Sequence, residues 1–230
     1  MPNLQIISAN VCPYAQRTRM VLHEKGLKFD LVEIDLKDKP DWFLEVSPYG
    51  KVPVLRHNER TIYESAVINE YLDEAFPDHL LMPVDPAARA MARIWIDYIN
   101  NQFCPFFYKV LLAQDGETQK EVAEKLTAVM KFMENEGLKK LQGKGPYWMG
   151  ENPNLVDLTL YPFFERFVVL EHYRGVVIPK DCQRLSRWLD VMLKHPASVA
   201  TANTKEFHIN NYQKYADGSA NGVTAREMRK

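Results

Sequence analysis

Hydrophobic and polar positions follow two different rhythms along this chain, and the change between them divides it. The opening stretch mixes short runs of strand periodicity with helical ones. An apolar run at 4–7 reads as a buried strand, interrupted at 10–13. Ala15, Thr18, Val21, Leu22 and Lys25 then recur at helical spacing, with Gln16, Arg17, Arg19, His23 and Glu24 off that face, and Gly26 supplies a stop. Residues 28–34 alternate, Phe29, Leu31 and Glu33 against Asp30, Val32 and Ile34, which predicts a second strand and completes a βαβ unit. Residues 52–55 and 61–63 predict a hairpin around 57–60, a loop without an Asn-Gly signal, and 65–75 predict a helix.

The rhythm changes at 76–86, FPDHLLMPVDP, where three prolines and no sustained period mark a linker. Beyond it strand alternation is absent and helices are predicted over 87–103, 120–141, 155–170 and 182–194. Asp85 caps the first of these with Pro86 at its first position, and Asn154-Leu155-Val156-Asp157 reads as a helix start. The last stretch, ADGSANGVTAREMRK, is small and polar and reads as a frayed tail. The expected organisation is therefore an α/β domain at 1–76, a linker at 77–86, an all-α domain at 87–215 and a flexible tail at 216–230.

Composition narrows the function classes. With 230 residues, 46% hydrophobic and 26% charged, the chain is globular and long enough for a real core, and a net charge of −1 gives no reason to expect nucleic acid or an anionic membrane as partner. No apolar run reaches the ~18 residues of a membrane span and no secretory signal opens the chain, so a cytoplasmic protein is expected. Three widely spaced cysteines, Cys12, Cys104 and Cys182, argue for free thiols in a reducing compartment. Six histidines show no metal-ligand spacing and no Gly-rich phosphate loop is present, so neither metal nor nucleotide is expected.

The sharpest local chemistry is Cys12-Pro13-Tyr14-Ala15 at a strand-to-helix junction. Proline prefers the first helical turn, which sets Cys12 at the helix N-terminus, where unpaired N–H groups face its sulfur. Helix N-termini and cations can bring a thiol from about 8.5 down to roughly 3.5–7.5, but the dipole alone supplies only about 0.3–1 kcal/mol, less than one pKa unit. Arg17 and Arg19 are the candidate cations, and the absence of an acid before Glu24 favours a bound anion at this helix start. Cys104 and Cys182 read as core or surface thiols. Phe103, Phe106, Phe107 and Tyr108 read first as core packing and second as a hydrophobic wall.

The segments CPYAQRTRMVLHEKGL, KDKPDWFLEVSPYGKVPVL, IYESAVINEYLDEAFP and NLVDLTLYPFFER, in this order and spacing, resemble the cytosolic glutathione transferases of the cysteine-containing omega type over 4–212. The resemblance implies the glutathione transferase fold, a thioredoxin-like N-terminal domain plus an all-α C-terminal helical domain, assembled as a homodimer. It implies glutathione as co-substrate, with Ser65 receiving the γ-glutamyl carboxylate, Glu64 the ammonium and Lys39 the glycyl carboxylate. The backbone of Val52, ahead of a cis Pro53, would pair with the cysteinyl unit, and Tyr14 would line the site. Arg166, Phe207 and Tyr212 fall in the family's second-substrate pocket, Phe207 departing from the tryptophan often found there. The implied activity is a glutathione-dependent thiol transferase or reductase (deglutathionylation, dehydroascorbate reduction) working through a Cys12–glutathione mixed disulfide on a small hydrophobic or glutathionylated substrate. Conjugation of electrophiles to glutathione and a non-catalytic ligand-binding module are the alternatives.

Overall fold

The computed structural model describes residues 4–229. Its first domain is built on a four-stranded sheet of order β2-β1-β3-β4, from β1 (Leu4–Ser8), β2 (Asp30–Glu33), β3 (Val54–His57) and β4 (Arg60–Tyr63). β1 and β2 run parallel, Ile6 opposite Leu31, because α1 (Pro13–Glu24) crosses between them, while β1 and β3 run antiparallel with Ile6 opposite Leu55. The predicted strand at 28–34 pairs over a shorter span. The hairpin loop contracts to Asn58 and Glu59, and Asn58 takes the left-handed backbone (φ 54°) that such a tight loop requires. A short helix α2 (Phe43–Val46) and α3 (Ser65–Ala75) complete the domain.

The linker is pinned. The carboxylate of Asp73, in the last turns of α3, accepts the backbone N–H groups of Leu81 and Met82 at 2.7 and 2.9 Å and pairs with Lys25 Nζ at 2.9 Å. The helical domain begins with α4 (Pro86–Tyr98), which runs through a π-helical turn (Ile99–Phe103) into α5 (Cys104–Leu112). This longer path differs from the predicted 87–103 helix. Pro105, which lacks an N–H, is carried where the backbone widens. There follow α6 (Gly116–Phe132), a second π turn (Met133–Leu138) and α7 (Lys139–Leu141). The predicted 155–170 helix divides at Arg166 into α8 (Leu155–Glu165) and α9 (Val168–Arg174), and α10 (Gln183–Met192) and α11 (Pro196–Thr201) come next. α12 (Lys205–Ala216) and α13 (Val223–Met228) close the chain.

The segment at 216–230, expected to fray, instead holds α13, which packs against α5 with Ala220 and Ala225 buried. Its small residues permit close approach, and arginines satisfy its carbonyls. Arg229 donates to Ala220 O at 2.7 Å and to Gly218 O at 2.8 Å, and Arg174 to Ala216 O at 2.7 Å.

α8 starts at a capping box that also anchors the core. Asp157, fully buried, accepts from Trp148 N at 2.8 Å, Trp188 Nε1 at 2.7 Å and Asn154 N at 2.9 Å, and Asn154 Oδ1 accepts from Val156 N at 2.8 Å. Burial pushes the Asp157 carboxyl up to about 6 despite these donors. Asp157→Ala strands three buried donors at about 1 kcal/mol or more each. At roughly 2–4 °C per kcal/mol the melting temperature is expected to fall by about 6–12 °C, read by calorimetry.

Candidate active site

One wide cleft of about 1330 Å³ lies between the two domains, and the turn after β1 enters it. Cys12 N donates to Ala9 O at 2.9 Å, and Cys12 is the N-cap of α1 (φ −86°, ψ 118°), with Pro13 at the first helical position. Its side chain is half-buried at the cleft wall, with Sγ 3.8 Å from Val52 O.

α1 has no acidic residue in its first turn, and neither does α3, whose first residue, Ser65, is buried at the same cleft. Two helix N-termini with no acid in their first turns therefore open on one space, a favourable setting for anions, with Glu64 at the N-cap of α3 as the acid beside them. Glu64, exposed, joins β4 to α3 in left-handed backbone (φ 69°), a conformation that costs about 1–2 kcal/mol in a non-glycine residue. Such strain concentrates at functional sites. The Val52–Pro53 bond is cis, and among the described residues no backbone group pairs with the N–H or C=O of Val52. Lys39 Nζ donates to Gly50 O at 2.7 Å. Cys12, Tyr14, Lys39, Val52, Pro53, Glu64 and Ser65 all line this cleft.

Of the residues expected around a second substrate, Phe207 and Tyr212 reach the cleft and Arg166 does not. Arg166, at the C-cap of α8, is fully buried behind the Cys12 turn, donating to Gln16 Oε1, to Pro162 O at 2.8 Å and to Val11 O at 3.4 Å, with Glu165 at 3.5 Å. Phe103 and Phe107 are wholly buried, in line with core packing, and only Tyr108 of that aromatic cluster faces the cleft.

The two candidate cations divide: Arg17 lines the cleft and favours the Cys12 thiolate, while Arg19 is not part of the cleft wall. Arg17 turns to the helical domain, donating to Thr159 O at 2.7 Å, Asn100 Oδ1 at 2.8 Å and Cys104 Sγ at 3.3 Å, its guanidinium 4.8 Å from the Tyr14 ring centroid. Arg19 lies by Asn10 Oδ1 at 3.4 Å and Glu33 at 3.8 Å. Nothing in the residue pattern signals a further buried network that ties α1 to the helical domain. In it Gln16 Nε2 donates to Glu165, Asn203 N donates to Glu165 Oε1 at 2.7 Å, and His208 Nε2 lies 3.5 Å from that oxygen. Burial alone would raise the Glu165 carboxyl. His208, Arg166, the Asn203 N–H and Gln16 together hold it below its ordinary value.

The expected lowering of the Cys12 thiol does not appear in the free protein. Burial pushes it up, outweighing the Ala15 N–H, the Arg166 guanidinium, the Tyr14 N–H and Arg17, in that order, which all favour thiolate. Burial also raises both other thiols to about 11, and Cys104 and Cys182 are buried.

A mixed four-stranded sheet with a cysteine capping its first helix, joined to an all-helical domain across a shared cleft, defines a thioredoxin-like domain fused to a helical one. Family models match both halves: glutathione S-transferase N-terminal domain over residues 11–75 and C-terminal domain over 117–190. The chain is 32% identical over 198 residues to glutathione S-transferase omega-1 of Sus scrofa, a match that covers 86% of this chain and 79% of that protein. A Tau-class glutathione S-transferase from mango superposes with TM-score 0.87 at 27% identity, covering 93% of this chain and 99% of that one. A rice GST solved in complex with glutathione does so at 0.85 and 27% identity, covering 96% and 99%. The chain belongs to the glutathione S-transferase family, which uses glutathione as co-substrate.

Because only thiolate alkylates readily, Cys12 modification by iodoacetamide is expected to accelerate as pH rises through neutrality, with a midpoint above the ~8.5 of an unperturbed thiol. Arg166→Gln is expected to move that midpoint further up and Arg166→Lys to leave it nearer the native value; rate-against-pH curves for the three proteins read this directly.

Proposed function

We propose that this protein is a glutathione-dependent thiol transferase of the omega-like, cysteine-containing type, acting on glutathionyl disulfides. The observation that carries the reading is the placement of Cys12, a helix-capping thiol in the wall of a two-domain cleft, with Ala15, fully buried, where a dithiol enzyme would hold a resolving cysteine. In this reading Ser65 and Glu64 hold the γ-glutamyl end of glutathione, Val52 pairs with its cysteinyl backbone and Lys39 meets its glycyl carboxylate. All five positions with Cys12 border one cleft.

The chemistry then runs as two exchanges. Cys12 thiolate attacks the glutathionyl sulfur of a mixed disulfide, forming the Cys12–glutathione disulfide, and the leaving thiolate takes a proton from solvent. A free glutathione thiolate attacks that disulfide, releasing oxidised glutathione and restoring Cys12. The net reaction consumes one glutathione thiol for each mixed disulfide reduced, the glutathionyl sulfur passing from one disulfide to the next, whereas dehydroascorbate, which brings no glutathionyl sulfur, would consume two.

Conjugation of electrophiles is the second reading, favoured by one feature of the site: burial pushes the Cys12 thiol up, favouring the neutral S–H, which could donate a hydrogen bond to the thiolate of bound glutathione. The likeness to Tau-class structures is as close as that to omega relatives.

Cys12→Ala is expected to abolish reduction of a glutathione mixed disulfide, while Cys104→Ala and Cys182→Ala retain it. Intact mass after exposure to oxidised glutathione is expected to show one adduct, mapped to Cys12. Strong wild-type turnover of an aryl halide, with Cys12→Ala still reducing mixed disulfides, would reverse the ranking of the two readings.

A further inference from the structure

The side of the cleft nearest the 35–39 loop carries more positive charge than one tripeptide uses. Lys37 and Lys39 stand on the loop between β2 and α2, Lys214 on α12 and Arg226 on α13, and all four line the cleft. They act on one another across it. Desolvation and Arg226 hold the Lys39 ammonium below its ordinary value, and desolvation and Lys37 do the same to Lys214.

Little negative charge offsets them. Among the described residues no carboxylate lies within 4.0 Å of any of the four. Lys39 instead donates to Gly50 O at 2.7 Å and Arg226 to Asn221 O at 2.6 Å, both backbone carbonyls. Of the carboxylates nearby, Glu227 is paired with Lys51 at 2.8 Å and Glu33 lies 3.8 Å from Arg19. Asp35 alone acts on Lys214, and it accepts the Lys37 N–H at 2.8 Å. If the glycyl carboxylate neutralises Lys39 and the glutathione ammonium takes Glu64, then Lys37, Lys214 and Arg226 still face the mouth, with Asp35 as the one lining acid not already assigned to a basic group. Like charges gathered at an open cleft, Lys39 and Lys214 among them partly desolvated, repel one another unless an anion joins them.

We propose that this rim is an anion subsite for the second substrate, so that the enzyme prefers partners bearing a carboxylate on the group joined to, or approaching, the glutathione sulfur. The proposal rests on the reading that glutathione occupies the cleft, but it does not depend on which reaction follows. The segment that supplies Arg226 is itself tied to the thioredoxin-like domain by the Lys51–Glu227 pair, which keeps the positive charge over the opening.

The test is calorimetric binding of two S-substituted glutathiones of equal length, S-hexylglutathione and S-(5-carboxypentyl)glutathione, at ~20 mM and ~200 mM salt, which bracket a screening length of about 10 Å. The carboxylate ligand is expected to bind about tenfold tighter at low salt and about threefold at high salt. In K37Q/K214Q the two ligands are expected to bind alike, with S-hexylglutathione unaffected, and K37Q alone, on the exposed loop, is expected to fall between. Equal binding of both ligands by the wild type, or a preference that survives in K37Q/K214Q, overturns the subsite and leaves glutathione binding standing. Failure of both ligands to bind overturns the two together.

Discussion

The turn that carries Cys12 is held from beneath by a buried guanidinium. Arg166 comes from the helical domain, yet besides Pro162 O of its own helix its hydrogen bonds reach Val11 O, just before the thiol, and Gln16, one turn after it. Removing one partner of a buried, hydrogen-bonded charge typically costs about 3–5 kcal/mol, more than a surface pair contributes by severalfold. Both domains are therefore needed to fix the thiol, even though the strand and helix that bear it belong to the first. α1 packs on α8 and α11 as well as on its own sheet, and its polar residues Gln16, Arg17 and Arg19 are buried along with its apolar ones.

That same packing sets the electrostatics. A helix N-terminus contributes about 0.3–1 kcal/mol toward a thiolate, while one pKa unit corresponds to 1.36 kcal/mol, so about ten-fold in thiolate fraction is beyond the dipole alone. Burial acts the other way at full strength, and in the free protein it prevails. A thiol with a raised pKa has little thiolate at neutral pH, but each thiolate is intrinsically more nucleophilic, with a Brønsted coefficient of about 0.4–0.5. The loss in population is thus only partly recovered in reactivity. On the proposed reading, exchange at this sulfur would rest on position in the cleft rather than on an unusually acidic thiol.

Much of this was legible from residue pattern. The βαβ unit, the helix beginning at Ser65, the capping box at Asn154 and the cysteine at a helix start all follow from local rules, because each is decided within a few residues. What local rules missed was decided between domains. Gln16 and Arg17 fall off the apolar face of α1 by spacing, and they are buried because a second domain supplies Thr159, Asn100 and Glu165 as partners. Arg166 reads as a pocket residue by its place in the motif, but it turns inward to Val11 O of the Cys12 turn and to Pro162 O of its own helix. The small, polar ending reads as disordered on composition. It folds because α5 offers a surface that alanine can meet closely and because Arg174 and Arg229 take up its carbonyls. Periodicity registers what a segment presents, not which neighbour arrives to cover it.

The number of available sulfurs and the size of the cleft constrain the reaction together. Cys104 and Cys182 are buried with thiols raised to about 11, and Ala15 occupies the neighbouring helical position, so on the proposed reading the protein supplies one sulfur and the second must diffuse in. That requires room beside a bound tripeptide. A cleft of about 1330 Å³ exceeds the ~300–1,000 Å³ usual for a single small ligand, and its far wall, Tyr108, Phe207 and Tyr212, is aromatic where the near wall is polar. The polar half suits a peptide with charged ends, and the remaining half suits its disulfide partner, whose sulfur must approach in line with the bond being broken. An enzyme with a resolving cysteine needs no such space, whereas one that relies on a second glutathione does, and this cleft has the larger form.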